Sequence, residues 1–265
     1  SGTVAGLRLR KRGWHLHLRW VDVCIDVSKG VESVVCEASR NVRRSLEALR
    51  AEGWTVARST DPADLEHFRT EMYLPTLAER YGGRATRFDP GALRAMLSHG
   101  FLLKAVRDGR WLAADLAVVC GDELWLAVAG FLHGDEEIRR ANVATLLTHA
   151  ALQQAEELGL PRVNHGGSLG FANDGTLLYK TRWSGVPTAR GYSLRAGRFY
   201  ARDWTDVALW CDPSKPWVLE ALDRATPIVD EGTRTGAVAG SKPRPGDFRR
   251  LGERFGWTVL GSADA

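Results

Sequence analysis

The order of apolar and polar residues predicts strands and then a helix at the start of the chain. Apolar side chains alternate with polar ones at Leu7 and Leu9, again over 14–20, and on over 21–27. This is the period of a strand with one buried face. From residue 31 the apolar positions recur every three or four residues, which predicts a helix over 31–51. The polar side of that helix carries Arg40, Arg43, Arg44 and Arg50.

Turn and helix-cap signals divide the next part of the chain into strands and helices. Asp61-Pro62 and Asp89-Pro90 each predict a helix start, because aspartate accepts hydrogen bonds from first-turn amides and proline suits the first helical position. Asp108-Gly109 and Gly121-Asp122 indicate tight hairpin turns. We predict a strand at 54–58, a helix from Pro62 stopped by Gly82-Gly83, a helix at 90–98, and strands at 101–106, 111–120 and 124–131.

Helices and strands continue to alternate in the second half of the chain. Helical spacing predicts a long helix over 137–158, and a strand over 162–165 leads into Gly166-Gly167. The remaining predictions are a helix at 175–183, strands at 192–200 and 207–210, a short helix near 217–222 and a mobile loop at 231–246.

The composition is that of a globular protein. The 265 residues are 44% hydrophobic and 26% charged, which excludes a disordered chain. No apolar run approaches the roughly 18 residues that cross a bilayer, so no membrane span is expected. The four cysteines include no C-x-x-C pair, which favours free thiols and a cytoplasmic location. His15 and His17 have no third ligand at suitable spacing, and no metal is expected.

Basic residues are concentrated in two segments of the chain. Residues 1–58 contain 11 basic and 6 acidic residues, residues 59–176 contain 11 and 16, and residues 177–210 contain 6 and 2. If the fold brings the first and third segments together, they form a basic face for an anionic partner such as RNA. The alternative is a solvated surface on which the charges cluster by chance.

The order of predicted elements resembles the GNAT acyltransferase fold over roughly residues 54–200. The resemblance implies an α/β fold with a mixed central sheet flanked by helices, and a helix N-terminus beside two splayed strands. Members that use acetyl-CoA bind its pyrophosphate there through the signature Q/R-x-x-G-x-G/A. The corresponding residues are Arg139-Arg140-Ala141-Asn142-Val143-Ala144. Asn142 replaces the central glycine, so we expect the backbone to approach a phosphate less closely.

A second resemblance is to Fem-type proteins, which transfer an amino acid from aminoacyl-tRNA to an amine. In that family a Gly-Gly turn is followed by a short helix with the motif Phe-Lys-x-x-Phe/Trp-Gly. This chain has Gly166-Gly167, Tyr179-Lys180 and Trp183, with Ser184 inserted before Gly185. The basic helix around residues 40–44 is also similar to the arginine-rich helix that these proteins carry before the catalytic domain.

The motif residues suit transfer from a reactive ester. Aminolysis of such an ester mainly requires that the amine and the carbonyl are held together and that the developing oxyanion is stabilised. The ammonium of Lys180 is suited to stabilising that oxyanion. An aromatic neighbour can stack on the terminal adenine of a tRNA. The residues implied to bind tRNA are Lys180, Arg182, Trp183, Arg190, Arg195, Arg198, Arg40, Arg43 and Arg44. Alternatively, Tyr179 and Trp183 face the core and Lys180 is a solvated helix residue.

Three further positions are candidates for the catalytic and acceptor sites. His165 ends its predicted strand beside Gly166-Gly167 and joins Lys180 and Tyr179 as a candidate catalytic residue, although a structural histidine fits equally. Tyr73 and Arg80 lie on the first helix, which often lines the acceptor cleft in GNAT folds. His133 follows the central strand, where a base could reach an attacking amine, or it belongs to a polar loop whose Asp135 caps the next helix.

We expect three domains, with boundaries after residues 52 and 210. They are a reduced N-terminal strand and helix subdomain at 1–52, a GNAT-like catalytic domain at 53–210, and an extension at 211–265. With one full GNAT copy, the chain is similar to small stand-alone Fem-like enzymes of peptidyl-nucleoside antibiotic assembly, such as the pacidamycin type. The expected partners are charged tRNA and a small peptide or nucleoside-peptide amine, and no cofactor is expected. Two alternatives are an acyl-CoA-dependent N-acetyltransferase and a non-catalytic RNA-binding module.

Overall fold

The chain forms two compact units in the computed structural model. The residues that the structure describes are 15–18, 20–82, 87–169, 175–188, 198–201, 218–220, 227–230 and 258–260. The larger unit consists of Ile25–Gly166 and Arg182–Ser184, and the smaller of Ser1–Cys24, Gly167–Thr181 and Gly185–Ala265. Residues 31–51 thus group with the larger unit, whereas the sequence suggests a boundary at residue 52.

A mixed sheet forms the centre of the larger unit. Its strands lie in the order β3 (Thr55–Ser59), β4 (Gly100–Arg107), β5 (Arg110–Cys120), β6 (Glu123–Phe131) and β7 (Arg162–Leu169). Strands β3 to β6 pair antiparallel, and β7 pairs parallel with β6. The predicted α/β class, with a mixed sheet flanked by helices, is confirmed.

Helices cover both faces of this sheet because its strands are apolar on both sides. One face of β4 and β5, including Leu102 and Leu116, packs against buried side chains of α3 (Pro62–His67), a π-helical segment (Phe68–Tyr73) and α5 (Pro90–Ser98). Helix α4 (Leu74–Tyr81) follows the π-helical segment directly. Successive strand residues point to opposite faces, so Leu103 faces the other side. There α7 (Val143–Glu157) packs on β4, β5 and β6, and α1 (Val31–Glu37) and α2 (Arg40–Ala51) pack against α7.

Two helices that the sequence predicts as continuous are each broken once. After α1, Ala38 is extended and the hydroxyl of Ser39 accepts a hydrogen bond from the amide of Val42, which starts α2. After α6 (Glu136–Arg140), Asn142 adopts a left-handed conformation with φ 61° and ψ 27°, and α7 begins at the next residue. The hydrophobic period runs on across both breaks, so periodicity alone does not locate them.

The smaller unit is built mainly from short strands. Its five-stranded sheet has the order β12 (Thr258–Leu260), β11 (Pro227–Asp230), β10 (Val218–Glu220), β1 (His15–Leu18) and β9 (Arg198–Ala201). Residues 22–24 of β2 (Trp20–Asp26) pair antiparallel with β8 (Val186–Thr188). This unit also holds α8 (Gly175–Thr181).

One secondary-structure prediction in the smaller unit is wrong. The helix expected near 217–222 is strand β10, which pairs antiparallel with both β1 and β11. Pairing with distant residues overrides a local helical pattern of only a few residues. The strand predicted at 192–200 overlaps β9. The predictions for residues 7–9, 207–210 and 231–246 lie outside the described residues. No helix of the described part is long and apolar enough to cross a membrane.

Candidate functional site

The opening between strands β6 and β7 is the candidate functional site of the larger unit. The two strands pair only from Glu123–Trp125 to Arg162–Asn164, although β6 runs on to Phe131. A register shift between Leu116 and Ala117 of β5 leaves Ala127 of β6 without a direct partner in that pairing. Such a bulge bends a strand and re-aims its side chains. The end of this pairing corresponds to the splayed strands that the resemblance to GNAT folds implies.

A buried polar network fixes the β7 side of this opening. The amide nitrogen of Asn164 donates to a carboxylate oxygen of Glu123 at 3.0 Å, and its amide oxygen accepts from the backbone of Gly166 at 2.8 Å. Gly166 has φ 72°, and a Cβ there would lie 3.0 Å from the carbonyl oxygen of Leu126. Glycine is thus required at the first position of the Gly-Gly turn for both backbone conformation and space.

His165 is buried beside α7 and is held by a threonine. Its Nε2 lies 2.8 Å from Oγ1 of Thr148, and that hydroxyl also donates to the carbonyl of Ala144 at 2.9 Å. A hydroxyl has one proton, so Nε2 of His165 is the donor in the first contact. His165 is 6% exposed. The structure therefore gives this histidine a fixed orientation, and its catalytic role stays a prediction.

The N-terminus of α7 has the residue that departs from the acetyl-CoA signature. Asn142 occupies the left-handed conformation that glycine and asparagine adopt most readily. Its side chain makes no cap hydrogen bond, while its carbonyl accepts from the amide of Thr145 at 2.7 Å. Asparagine therefore meets the backbone requirement of this position but adds a side chain at the start of the helix.

In the smaller unit, Lys180 is buried rather than solvated. The residue is 8% exposed, and its Nζ donates to the carbonyl oxygen of Gly167 at 2.9 Å. The ammonium is thus fixed against the second glycine of the Gly-Gly turn. Its neighbour Tyr179 is half-buried. The alternative of an ordinary solvated lysine does not describe this side chain.

Arg182 and Trp183 belong to the larger unit and differ from each other in exposure. Trp183 is completely buried, so its ring would have to leave the core to stack on a base. Arg182 is exposed, and its carbonyl accepts a hydrogen bond from the amide of Ser39 at 2.8 Å. That bond ties the end of the motif to the start of α2.

The arginines of α2 divide into structural and exposed groups. Arg43 donates from Nη1 to the carbonyls of Cys36 and Ala38, both at 2.7 Å, and so satisfies the end of α1. Arg40 and Arg44 are exposed. Of the other predicted tRNA contacts, Arg190 and Arg195 lie outside the described residues, and only the backbone of Arg198 is described, in β9.

The predicted acceptor residues do not share one environment. Tyr73 is 2% exposed, its hydroxyl accepts from the amide of Phe88 at 3.0 Å, and burial raises its pKa. It therefore packs the core, and an acceptor could reach it only by displacing that core. Arg80 lies exposed on α4.

His133 is exposed, and its Nδ1 lies 3.6 Å from Oε2 of Glu71. Glu71 lies in the π-helical segment, and no motif in the sequence indicates that it meets His133, because the two residues are far apart along the chain. Among the described residues no cluster of three or more His, Cys, Asp or Glu side chains could hold a metal ion.

The comparisons with known proteins define the family. A model described as "Acetyltransferase (GNAT) domain" matches residues 37–181, which is more than half of the chain. The protein therefore belongs to the GNAT acetyltransferase-domain family. Its match begins at Glu37, the last residue of α1, and therefore includes α2. None of the curated protein sequences matches the chain.

Three solved structures are similar to this chain. The crystal structure of FemX is similar with a TM-score of 0.55 at 13% identity, over 79% of this chain and 71% of FemX. The C-terminal domain of a candidate lysylphosphatidylglycerol synthetase from Agrobacterium fabrum has a TM-score of 0.49 and 16% identity. The match covers 77% of this chain and 66% of that domain's chain. L-PGS from Bacillus licheniformis has a TM-score of 0.46 and 14% identity, and the match covers 67% of this chain and 60% of L-PGS. At such identities the likeness to FemX establishes the fold alone.

Proposed function

We propose that this protein transfers an aminoacyl group from aminoacyl-tRNA to the amine of a small acceptor and so forms an amide bond. Membership of the GNAT family supports acyl transfer in general. The Fem-type motif at Tyr179, Lys180 and Trp183 supports aminoacyl-tRNA as the donor. The observation that carries the proposal is the buried ammonium of Lys180, fixed by the carbonyl of Gly167 at the predicted Gly-Gly turn.

The proposed reaction is aminolysis of an ester. The acceptor nitrogen attacks the ester carbonyl carbon, the carbon–oxygen bond to the terminal ribose breaks, and the ribose oxygen takes up a proton as the nitrogen loses one. The ester is already reactive, so the protein mainly holds the reactants together and stabilises negative charge. A fixed ammonium at Lys180 suits either the developing oxyanion or a terminal phosphate.

Other residues have proposed roles of positioning and binding. Tyr179 is half-buried and is proposed to stack on a base, whereas Trp183 is completely buried. His165 is proposed to orient a reacting group, since Thr148 fixes its ring. Arg40, Arg44 and Arg182 are exposed and are proposed to contact tRNA phosphates.

The proposed acceptor is an amine of a peptide-antibiotic, peptidyl-nucleoside or cell-wall peptide intermediate. The proposal rests on the resemblance to small stand-alone Fem-like enzymes. An acceptor amine is largely protonated at neutral pH, and Glu71 beside His133 offers that cation a carboxylate in the larger unit. The amine releases this proton to solvent before its neutral nitrogen attacks the ester. Arg80 on α4 is proposed to contact an acceptor carboxylate.

The second candidate function is N-acetylation with acetyl-CoA. The observation that favours it is the long helix α7, whose first-turn amides and dipole attract anions such as a pyrophosphate. The side chain of Asn142 at that helix start reduces the space that the acetyl-CoA signature provides with glycine.

A donor competition separates the two functions. The protein is incubated with a mixed pool of charged tRNAs and candidate amines, with or without excess coenzyme A, and products are identified by mass spectrometry. We expect aminoacylated amines whose yield does not change with coenzyme A. Tight coenzyme A binding together with acetylated product from acetyl-CoA, and no product from charged tRNA, would contradict the proposal.

A further inference from the structure

A groove in the larger unit lies apart from the opening between β6 and β7. It has a volume of about 400 Å³ and is lined by the end of α2, the edge strand β3 and the outer face of α7. Strand β3 is three positions from β6 in the sheet, which at the usual strand spacing corresponds to about 14 Å. The groove is thus a separate feature of this unit.

Two guanidinium groups line the groove, and each is oriented by a side chain of α7. Nη2 of Arg50 lies 3.1 Å from Nε2 of His149, and Nη1 of Arg58 donates to Oε1 of Gln154 at 3.3 Å. His149 and Gln154 are five residues apart, or about 7.5 Å along the axis of a helix. The two positive groups therefore stand along one side of the groove rather than at one point.

Neither guanidinium is neutralised within the part of the chain that the structure describes. No carboxylate of these residues lies within ion-pair distance of Arg50 or Arg58, whereas Arg162 contacts Asp122 at 2.6 Å. Glu157, which also lines the groove, instead accepts from the amide of Gln154 at 2.6 Å. Glu157 keeps its negative charge, so two arginines and one glutamate line the groove and leave a net positive charge.

His149 acts as a fixed acceptor for Arg50. The imidazole is 6% exposed, and burial followed by the charge of Arg50 lowers its pKa. A neutral imidazole has a lone pair that can accept an N–H of the guanidinium. One N–H group of the Arg50 guanidinium is thus used for orientation, and its remaining N–H groups can donate hydrogen bonds to a ligand.

Apolar and aromatic side chains also line or adjoin the groove. Leu103, Leu146 and Ala150 form an apolar floor. The guanidinium of Arg58 also stacks over the ring of Phe101, with 4.1 Å from Cζ to the ring centroid. Both arginines are exposed, and the stacking contact with Phe101 restricts the position of the Arg58 guanidinium.

We propose that this groove binds a phosphate group through Arg50 and Arg58. A phosphate presents several acceptor oxygens and can accept from two guanidinium forks at once, which a single carboxylate does less well. The phosphate belongs either to an RNA backbone or to a free phosphorylated small molecule, since both offer the same oxygens. The site is independent of the opening between β6 and β7.

Titration with inorganic phosphate at constant ionic strength tests the site. Binding is followed by calorimetry and by the shift in melting temperature, in a buffer without phosphate. We expect phosphate to bind and chloride not to bind. Arg50→Gln and Arg58→Gln should each weaken phosphate binding about tenfold or more, because each removes a charged hydrogen-bond donor. Arg94→Gln, an exposed arginine on α5, is the matched control and should bind as the unchanged protein does.

The same variants, titrated with a short single-stranded RNA, distinguish the source of the phosphate. If Arg50→Gln weakens RNA binding as well, the groove takes an RNA phosphate; if it weakens only inorganic phosphate, the groove takes a free phosphorylated molecule. Phosphate binding that is absent, or unchanged in both groove variants while their melting temperatures match the control, would overturn the proposal. These titrations use neither charged tRNA nor an acceptor, so their failure is distinct from failure of aminoacyl transfer.

Discussion

A lysine ammonium that is fixed by a backbone carbonyl is the residue on which the proposed chemistry depends. Lys180 is 8% exposed and bonded to Gly167. Replacing it with methionine keeps most of the buried volume and removes the charge. We expect Lys180→Met to lower the rate of amide formation from charged tRNA about 100-fold or more, which is typical for loss of one oxyanion-stabilising group.

Single-turnover rates at saturating charged tRNA measure this effect. Lys29→Met, at an exposed lysine in the turn before α1, is the control and should keep the full rate. A Lys180→Met protein that melts like the unchanged one and transfers at the same rate would show that the ammonium has no part in catalysis.

The threonine that holds His165 gives a second prediction at the residue scale. Thr148 and His165 are both buried and share a 2.8 Å hydrogen bond. Thr148→Val removes the hydroxyl, so the buried Nε2 of His165 loses this hydrogen bond. The free energy of unfolding should therefore fall by about 1–3 kcal/mol.

Denaturant unfolding of Thr148→Val and Thr148→Ser checks this expectation. The serine variant retains the hydroxyl and should recover most of the loss. Equal destabilisation by both variants would mean that the methyl group of Thr148, not its hydrogen bond, stabilises this region.

At the scale of the elements, local signals in the sequence predicted most of the larger unit. Asp89 caps α5 through a hydrogen bond to the amide of Ala92, and Asp108 and Gly109 both have positive φ, as a tight hairpin requires. Each of these signals depends on neighbours within four residues. Such features can be predicted from a sequence because the residues that specify them are close together along the chain.

Features that depend on distant partners could not be predicted. Strand β10 exists because β1 and β11 pair with it. The π-helical segment packs so closely on β6 that a Cβ at Gly130 would lie 2.8 Å from the backbone of Met72 and Tyr73. Likewise, the motif around Lys180 was visible in the sequence, and a core position of Trp183 was one of its two interpretations, but the burial of Lys180 was not predicted.

The break between α6 and α7 gives a prediction at this scale. Asn142 has φ 61°, which costs an ordinary side chain about 1–2 kcal/mol. We expect Asn142→Ala to lower the free energy of unfolding by about 1 kcal/mol and Asn142→Gly to leave it nearly unchanged. Chemical denaturation of both variants measures the difference. If alanine were tolerated as well as glycine, the backbone at residue 142 would not be left-handed.

At the scale of the whole molecule, the distribution of charge says more than the net charge of +4. Part of the first basic segment is structural, since Arg43 completes the end of α1. Another part, Arg50 and Arg58, lines the phosphate groove. The second basic segment lies largely outside the described residues. Charge counts along a sequence indicate an anionic partner but do not separate these roles.

Stability should depend on pH through His149. Burial, then the positive charge of Arg50, lowers the pKa of this imidazole in the folded state, although Glu32 and a hydrogen bond with Gln153 act in the opposite direction. The unfolded chain takes up the proton near pH 6.5. As pH falls through this value, the unfolded state binds more protons than the folded one, so stability decreases.

Unfolding free energies between pH 5 and 8 (about 1.5 pH units on either side of 6.5) check this linkage. The unchanged protein should lose stability toward pH 5, and His149→Gln should lose less because it has no imidazole to protonate at this position. Parallel pH curves for the two proteins would contradict the assignment.

Amide formation from an aminoacyl-tRNA donor is the activity proposed for this GNAT-family protein. The most direct measurement combines tRNA charged with isotope-labelled amino acids, the full chain and a set of peptide and nucleoside-peptide amines, with detection of the product by mass spectrometry. We expect a labelled, hydrolysis-resistant amide that forms with the unchanged protein and is almost absent with Lys180→Met. RNA that binds but yields no amide with any acceptor, or an amide formed only from acetyl-CoA, would contradict it.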